Sequence, residues 1–173
     1  MTKWIFPLLT LFAYPVWSAN DQTLNSSATQ IRIQVVNGCL LNSSTSNGVN
    51  LGTLNFGSIY ATNCITDAST TTGTGSIELR CTPGTTAKIT LGAGLYGANV
   101  NNRKMRLTTG THTLNYQLYT SAARTTIWDD VTGVSIVLSD DLTKTFPVYG
   151  RVPVQATPVS GNYTDQILVT LSY

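Results

Sequence analysis

The sequence predicts an all-β sandwich, and three observations predict it. Charged residues are only 10% of the 173, well below the roughly 25% of ordinary soluble domains. Thr, Ser, Asn and Gly fill the polar positions instead, which favours strands and turns over helices. Short segments in which apolar and polar residues alternate recur along the chain, separated by turn signals, and no segment of useful length carries the helical period. The length suffices for one domain with a real core, and no internal repeat or linker divides it.

The elements follow in order. "MTKWIFPLLTLFAYPVWSAND" has one cation, Lys3, then an apolar run from Trp4 to Trp17 and the small residues Ser18 and Ala19. The run is short of the ~20 residues a membrane span needs and is interrupted by Pro7 and Pro15, so residues 1–18 read as a secretory signal peptide, cleaved after Ser18 or Ala19. No later segment is apolar and long enough to span a bilayer, and export is the expected fate. Residues 19–29 are polar and aperiodic, as a mobile tail is. Then "TQIRIQVV" alternates, with Ile31, Ile33 and Val35 on one face behind Thr29. "GTLNFGS" reads as a short strand with Leu54 and Phe56 together. "SIELRC" and "AKITL" are joined by the Pro-Gly turn "TPGTT". "KMRL", "TLNYQLY", "VSIVL" and "KTFPVYGRVPV" follow. The last segment, "DQILVTLSY", groups Ile167, Val169, Leu171 and Tyr173. The first strand behind its tail and the last strand each read as an edge that something must cover.

Three cysteines, Cys39, Cys64 and Cys81, permit one disulfide in an oxidising compartment. Cys81 shares a face with Ile77 and Leu79. Cys39 continues the parity of Ile31, Ile33 and Val35 if that strand runs past Gly38, whereas Cys64 sits in a Ser/Thr-rich loop. Cys39 is therefore paired with Cys81.

Features that would carry chemistry have plainer readings. Gly92, Gly94 and Gly97 have the G-x-G-x-x-G spacing of a dinucleotide turn, but an Asn-rich stretch and a strand-like one follow where a helix is required. A lone match is weak, and no cofactor is expected. His112 is the only histidine, no G-x-S-x-G elbow exists, and a metal site of several histidines is impossible. The pairs Asp129–Asp130 and Asp140–Asp141 read as turn residues, because neighbours on a strand face opposite ways. Chance in so Asn-, Ser- and Thr-rich a chain covers the sequons at Asn25, Asn42 and Asn162. A net charge of +2 is too small to suggest nucleic acid as the partner, and no Lys/Arg run builds a phosphate-binding stripe, so no nucleic-acid partner is expected.

Taken together, Cys39, "LGTLNFGSIY", "GSIELRC", a Gly-containing turn leading to Arg103-x-Met105, "LNYQLYTSAARTTIWDD" and the closing "GNYTDQILVTLSY" resemble the spore coat protein U domain family. Its secreted bacterial members are pilin subunits of archaic (Csu-type) chaperone–usher pili. The resemblance runs from about Ile31 to Tyr173. Ser121 stands where an Asp is common, Asp129 where a Gly is common, and Cys64 is extra. The resemblance implies an incomplete immunoglobulin-like sandwich of six strands, the seventh supplied by a donor strand. Residues 19–36 would be the tail with its donor strand, Thr29, Ile31, Ile33 and Val35, and residues 37–173 the pilin domain. A periplasmic chaperone would fill the groove first, and at the outer-membrane usher a neighbouring subunit's donor strand would replace it. Leu54, Phe56, Ile167, Val169 and Leu171 are the candidate groove residues, and the Tyr173 carboxylate the candidate chaperone anchor. No catalysis and no small-molecule substrate are implied. The expected end state is a cell-surface pilus promoting attachment and biofilm. A two-domain tip adhesin would need a further N-terminal domain; a tip-proximal subunit and a coat or exported structural protein with a complete sandwich are the rivals.

Overall fold

The computed structural model describes residues 32–173, so the predicted signal peptide, Thr29 and Ile31 lie outside the described residues. The chain divides into two units, Met1–Gln34 and Val35–Tyr173, and the fold described below is that of the second.

Among the described residues there are eleven strands and no helix. They are β1 (Cys39–Leu41), β2 (Thr66–Ser69), β3 (Ile77–Cys81), β4 (Thr85–Leu91), β5 (Arg103–Leu107), β6 (Thr113–Tyr119), β7 (Val134–Leu138), β8 (Lys144–Phe146), β9 (Tyr149–Val152), β10 (Tyr163–Thr164) and β11 (Val169–Ser172). Every pairing is antiparallel, in three sheets ordered β1-β3-β8, β10-β5-β6-β9-β2 and β11-β4-β7.

The strands are divided more finely than the six expected, for local reasons. "KTFPVYGRVPV" splits at Pro147, which cannot donate to a ladder: β8 pairs with β3 and β9 with β6 in another sheet. β2 falls inside the stretch expected to be a loop. Its residues, Thr66, Asp67, Ala68 and Ser69, have no apolar alternation to reveal it, and it is held by a four-residue register to β9. "IRIQVV" carries no strand from Arg32 to Gly38, and β1 begins at Cys39.

The core is built from the inward residues of the longer strands. Ile77, Leu79 and Cys81 of β3, Ala87, Ile89 and Leu91 of β4, and Leu114, Tyr116 and Leu118 of β6 are buried in one cluster with Trp128, Leu138 and Val152. Alternation along β6 is nearly strict, as expected of strands with one buried face. No helix among the described residues is long and apolar enough to cross a membrane.

Candidate functional site: two unpaired apolar lines on one core

The last strand forms the first line. From Tyr163 to Leu171 half-buried residues alternate with exposed ones, so Ile167, Val169 and Leu171 point to the core while Leu168 and Thr170 point out. The register puts Val169 opposite Leu91 and Leu171 opposite Ile89, both buried. β11 pairs on one side only, with β4; its other edge has no strand partner among the described residues. Tyr173, just beyond it, is exposed.

The second line runs through Leu51, Leu54 and Phe56, all half-buried against the same cluster. Leu54 and Phe56 lie directly over Gly150 of β9, and the Phe56 ring meets Tyr116 edge-on at 6.3 Å between centroids. The alternation expected here is present, but the strand is not. Among the described residues, residues 51–59 belong to no sheet and exchange no main-chain hydrogen bond with another main-chain group. Asn50 and Asn55 side chains accept locally from Gly52 and Gly57, the pattern of Asx turns. Alternation tells which face a segment buries and says nothing of who pairs with its backbone. A half-buried segment without ladder bonds leaves main-chain groups that normally find partners.

Upstream, Ile33 is 89% exposed and Val35 76% exposed. The chain enters the sandwich just after them. Gly38 and Thr82 bond to each other's main chain and hydroxyl, at 2.9 Å and 3.2 Å, and the Thr82 hydroxyl also donates to the Val36 carbonyl. The next residue, Cys39, is opposite Cys81 in the β1–β3 register and disulfide-bonded to it. Cys64 is free and exposed.

Behind the two lines lies a polar network that sequence reasoning missed. Arg103 is fully buried and donates to the carbonyls of Gly92, Leu91 and Trp128 and to the Gln117 amide oxygen. Burial lowers its pKa, while Tyr116, Asp130, Asp165 and Asp129 act in the opposite sense. Tyr116 donates to Asp165 at 2.7 Å, and burial, reinforced by that bond, raises the phenol's pKa far above its ordinary value. The other oxygen of Asp165 accepts from the Leu95 amide. Here the glycine motif finds its role: Gly94 has φ +87°, and a side chain there would run into the Asp165 carboxylate. Bends and turns follow it as far as β5. The Arg103-x-Met105 element of the resemblance was the available signal for Arg103, but nothing in sequence marks an arginine as buried.

The remaining chemical candidates sit in turns and on the surface. His112 is exposed in the β5–β6 turn. Asp129 accepts three consecutive amides, from Val131, Thr132 and Gly133, which hold its carboxyl below the ordinary range, Gly133 contributing most. Asp140 caps the turn to β8 and pairs with Lys144, and Asp141 pairs with Arg80. Asn42 uses its side chain on Ser76 and Glu78. Among the described residues no three His, Cys, Asp or Glu side chains form a group able to hold a metal ion.

A family model, the Spore Coat Protein U domain, matches residues 25–170. Protein U of Myxococcus xanthus is 36% identical over 138 residues, 75% of this chain and 76% of that protein. Among solved structures, a chain of the CsuC–CsuE chaperone–tip adhesion subunit pre-assembly complex, from archaic chaperone–usher Csu pili of Acinetobacter baumannii, aligns over 80% of this chain with a TM-score of 0.50 and 21% identity. This chain spans 40% of the length of that one, and likeness at that identity speaks for the fold: an immunoglobulin-like all-β sandwich.

Proposed function

The chain belongs to the spore coat protein U domain family, and from that premise we propose that it is a structural subunit of an adhesive archaic chaperone–usher pilus. One observation carries the reading: two half-buried apolar lines, 167–171, whose strand is paired on one side only, and 51–56, whose backbone has no strand partner among the described residues, in a chain that exposes Ile33 and Val35 upstream. A strand laid along β11 would cover the inward line Ile167, Val169 and Leu171 and complete the ladder, the mode known as β-strand addition, with Leu54 and Phe56 assigned to the same groove.

In this reading a periplasmic chaperone supplies that strand first. At the outer-membrane usher, residues 29–35 of the next subunit replace it, with Ile31, Ile33 and Val35 entering the groove. Burying three such side chains contributes roughly 5–9 kcal/mol as an upper bound. Thr82 and the Cys39–Cys81 bridge hold the point from which the donor segment leaves. The polymer is a surface pilus that promotes attachment and biofilm, and no catalytic step belongs to it. The rival reading is a tip-proximal position in the same pilus. Gold-labelled antibody along isolated fibres separates the two: label along the shaft supports a rod subunit, label confined to the ends a tip-proximal one.

Periplasmic expression with and without the cognate chaperone tests the proposal. The expected result is degradation or aggregation alone and a soluble complex with the chaperone. A stable monomer without a chaperone would overturn it. Ile33→Asp should keep chaperone binding, because the groove is intact, and abolish polymerisation.

A further inference from the structure

The sequence holds two Asn-Gly pairs, Asn37–Gly38 and Asn47–Gly48. Both read first as turn formers. An asparagine in such a pair is also prone to lose its side-chain amide, because the glycine that follows has no side chain to hinder attack by its own nitrogen. We infer that Asn47 is a site of spontaneous deamidation in the folded protein, and that Thr82 shields Asn37 from the same reaction. The only co-reactant is water.

In the first step the Gly48 N–H gives its proton to hydroxide, and its nitrogen bonds to the side-chain carbonyl carbon of Asn47. The bond from that carbon to the side-chain amide nitrogen breaks, and ammonia leaves with a proton taken from water. Water then opens the succinimide ring at either of its carbonyls. One opening yields aspartate. The other yields isoaspartate, in which the main chain runs through the former side chain and is longer by a methylene group. Nothing is oxidised or reduced.

The two pairs differ in the state of the attacking nitrogen. Both asparagines are exposed and lie outside any strand. Gly48 is exposed too, in a turn with φ +77°, and its N–H has no main-chain hydrogen-bond partner among the described residues. Gly38 is half-buried. Its N–H donates to the Thr82 hydroxyl oxygen at 3.2 Å, and its carbonyl accepts from the Thr82 N–H at 2.9 Å. A nitrogen bonded in this way has its proton held, and its N–H is aimed at Thr82. Other asparagines in turns are restrained differently. Asn50 and Asn55 use their side-chain oxygens to accept from Gly52 and Gly57, and the residues that follow them, Leu51 and Phe56, are bulky. The consequence of the reaction also differs between the pairs. Asn47 lies in an exposed turn beyond β1, where a longer main chain and a new negative charge displace no strand. At Asn37 the added methylene would fall just before Cys39, which must stay opposite Cys81 for both the disulfide and the β1–β3 register.

The experiment uses the full mature chain in its soluble periplasmic form, chaperone included. It is incubated at mildly alkaline pH and then digested with pepsin at acid pH, which halts the reaction. Mass spectrometry follows aspartate and isoaspartate at each pair. Asn47 should convert about two- to tenfold faster than Asn37, the factor that one such hydrogen bond is worth. In the reduced chain in denaturant the two rates should converge, because no fold is left to distinguish them. Thr82→Val keeps the shape but not the acceptor, and should raise the Asn37 rate by about two- to tenfold while leaving Asn47 unchanged. Native Asn37 converting as fast as Asn47, or no conversion at Asn47, would overturn the assignment. A difference that persists in denaturant would come from sequence neighbours and remove the role given to the fold. A folded Thr82→Val protein with the parent's Asn37 rate would end the role of Thr82. If that variant does not fold, the comparison of native with unfolded parent decides alone.

Discussion

The guanidinium of Arg103 donates to the main-chain oxygen of Trp128 at 2.7 Å, and the Trp128 indole N–H in turn donates to the main-chain oxygen of Ile89 at 2.9 Å. These bonds tie β5, the loop before β7 and the centre of β4 into one unit beneath β11. A buried charge is held here by carbonyls rather than by a bonded carboxylate, which is tolerable because four acceptors share it.

Replacing that charge should be costly. Arg103→Met leaves the acceptors on Gly92, Leu91, Trp128 and Gln117 without their donor, at about 3 kcal/mol or more in total. Arg103→Lys keeps the charge but lacks the planar fork, and should recover less than half of the loss. Denaturant midpoints of the three proteins check this; equal midpoints for parent and Arg103→Met would show that the network contributes nothing to stability.

Tyr116 makes stability sensitive to alkali. Burial and the Asp165 bond raise its pKa above the ordinary 10.0. A group whose folded pKa is raised keeps its contribution below the unfolded value and loses it as pH climbs beyond. Stability attributable to Tyr116 should thus be flat up to about pH 10 and then fall by up to about 1.4 kcal/mol per pH unit. Tyr116→Phe should remove that slope, at a cost of about 1.5–3 kcal/mol at neutral pH for the lost charge-assisted bond. Unfolding midpoints between about pH 8 and 11 for both proteins decide it, and an unchanged slope in Tyr116→Phe would refute it.

Much of this was legible where one face of a strand is buried. Ile77, Leu79 and Cys81, or Leu114, Tyr116 and Leu118, announce their inward face by period. The Cys39–Cys81 pairing was expected from a strand running past Gly38, but no strand is there; the bridge forms because Cys39 opens β1 directly opposite Cys81. β2 was not legible, because Thr66 and Ala68 point inward without being strongly apolar. Nor was the state of residues 51–59: Leu54 and Phe56 show the alternation, but hydrogen-bond partners are a property of neighbours distant in sequence. Arg103 was hidden for a related reason. Three of its four acceptors are main-chain carbonyls, and a carbonyl belongs to every residue type.

The disulfide should carry a large share of stability. It closes a separation of 42 residues, for which the chain-entropy model gives about 4 kcal/mol. Reduction, or Cys39→Ser with Cys81→Ser, should lower the unfolding midpoint accordingly. Native maleimide labelling should modify one thiol per chain, Cys64, which is exposed, and three only after reduction and unfolding. Two or more thiols labelled in the native protein would contradict the pairing.

Gly150 tests the second apolar line directly. A Cβ there would meet the Phe56 ring at 2.6 Å and press on the Leu54 side chain as well. Gly150→Ala must therefore lift both residues or shift β9, an overpacking cost of about 1–3 kcal/mol. If the strain is local, Leu54→Ala in the Gly150→Ala background should cost less than Leu54→Ala alone, since contacting residues are not additive. A double-mutant cycle on unfolding free energy measures the coupling. Strict additivity would mean that Leu54 does not rest on Gly150, and the wall assigned to residues 51–56 would have to be drawn elsewhere.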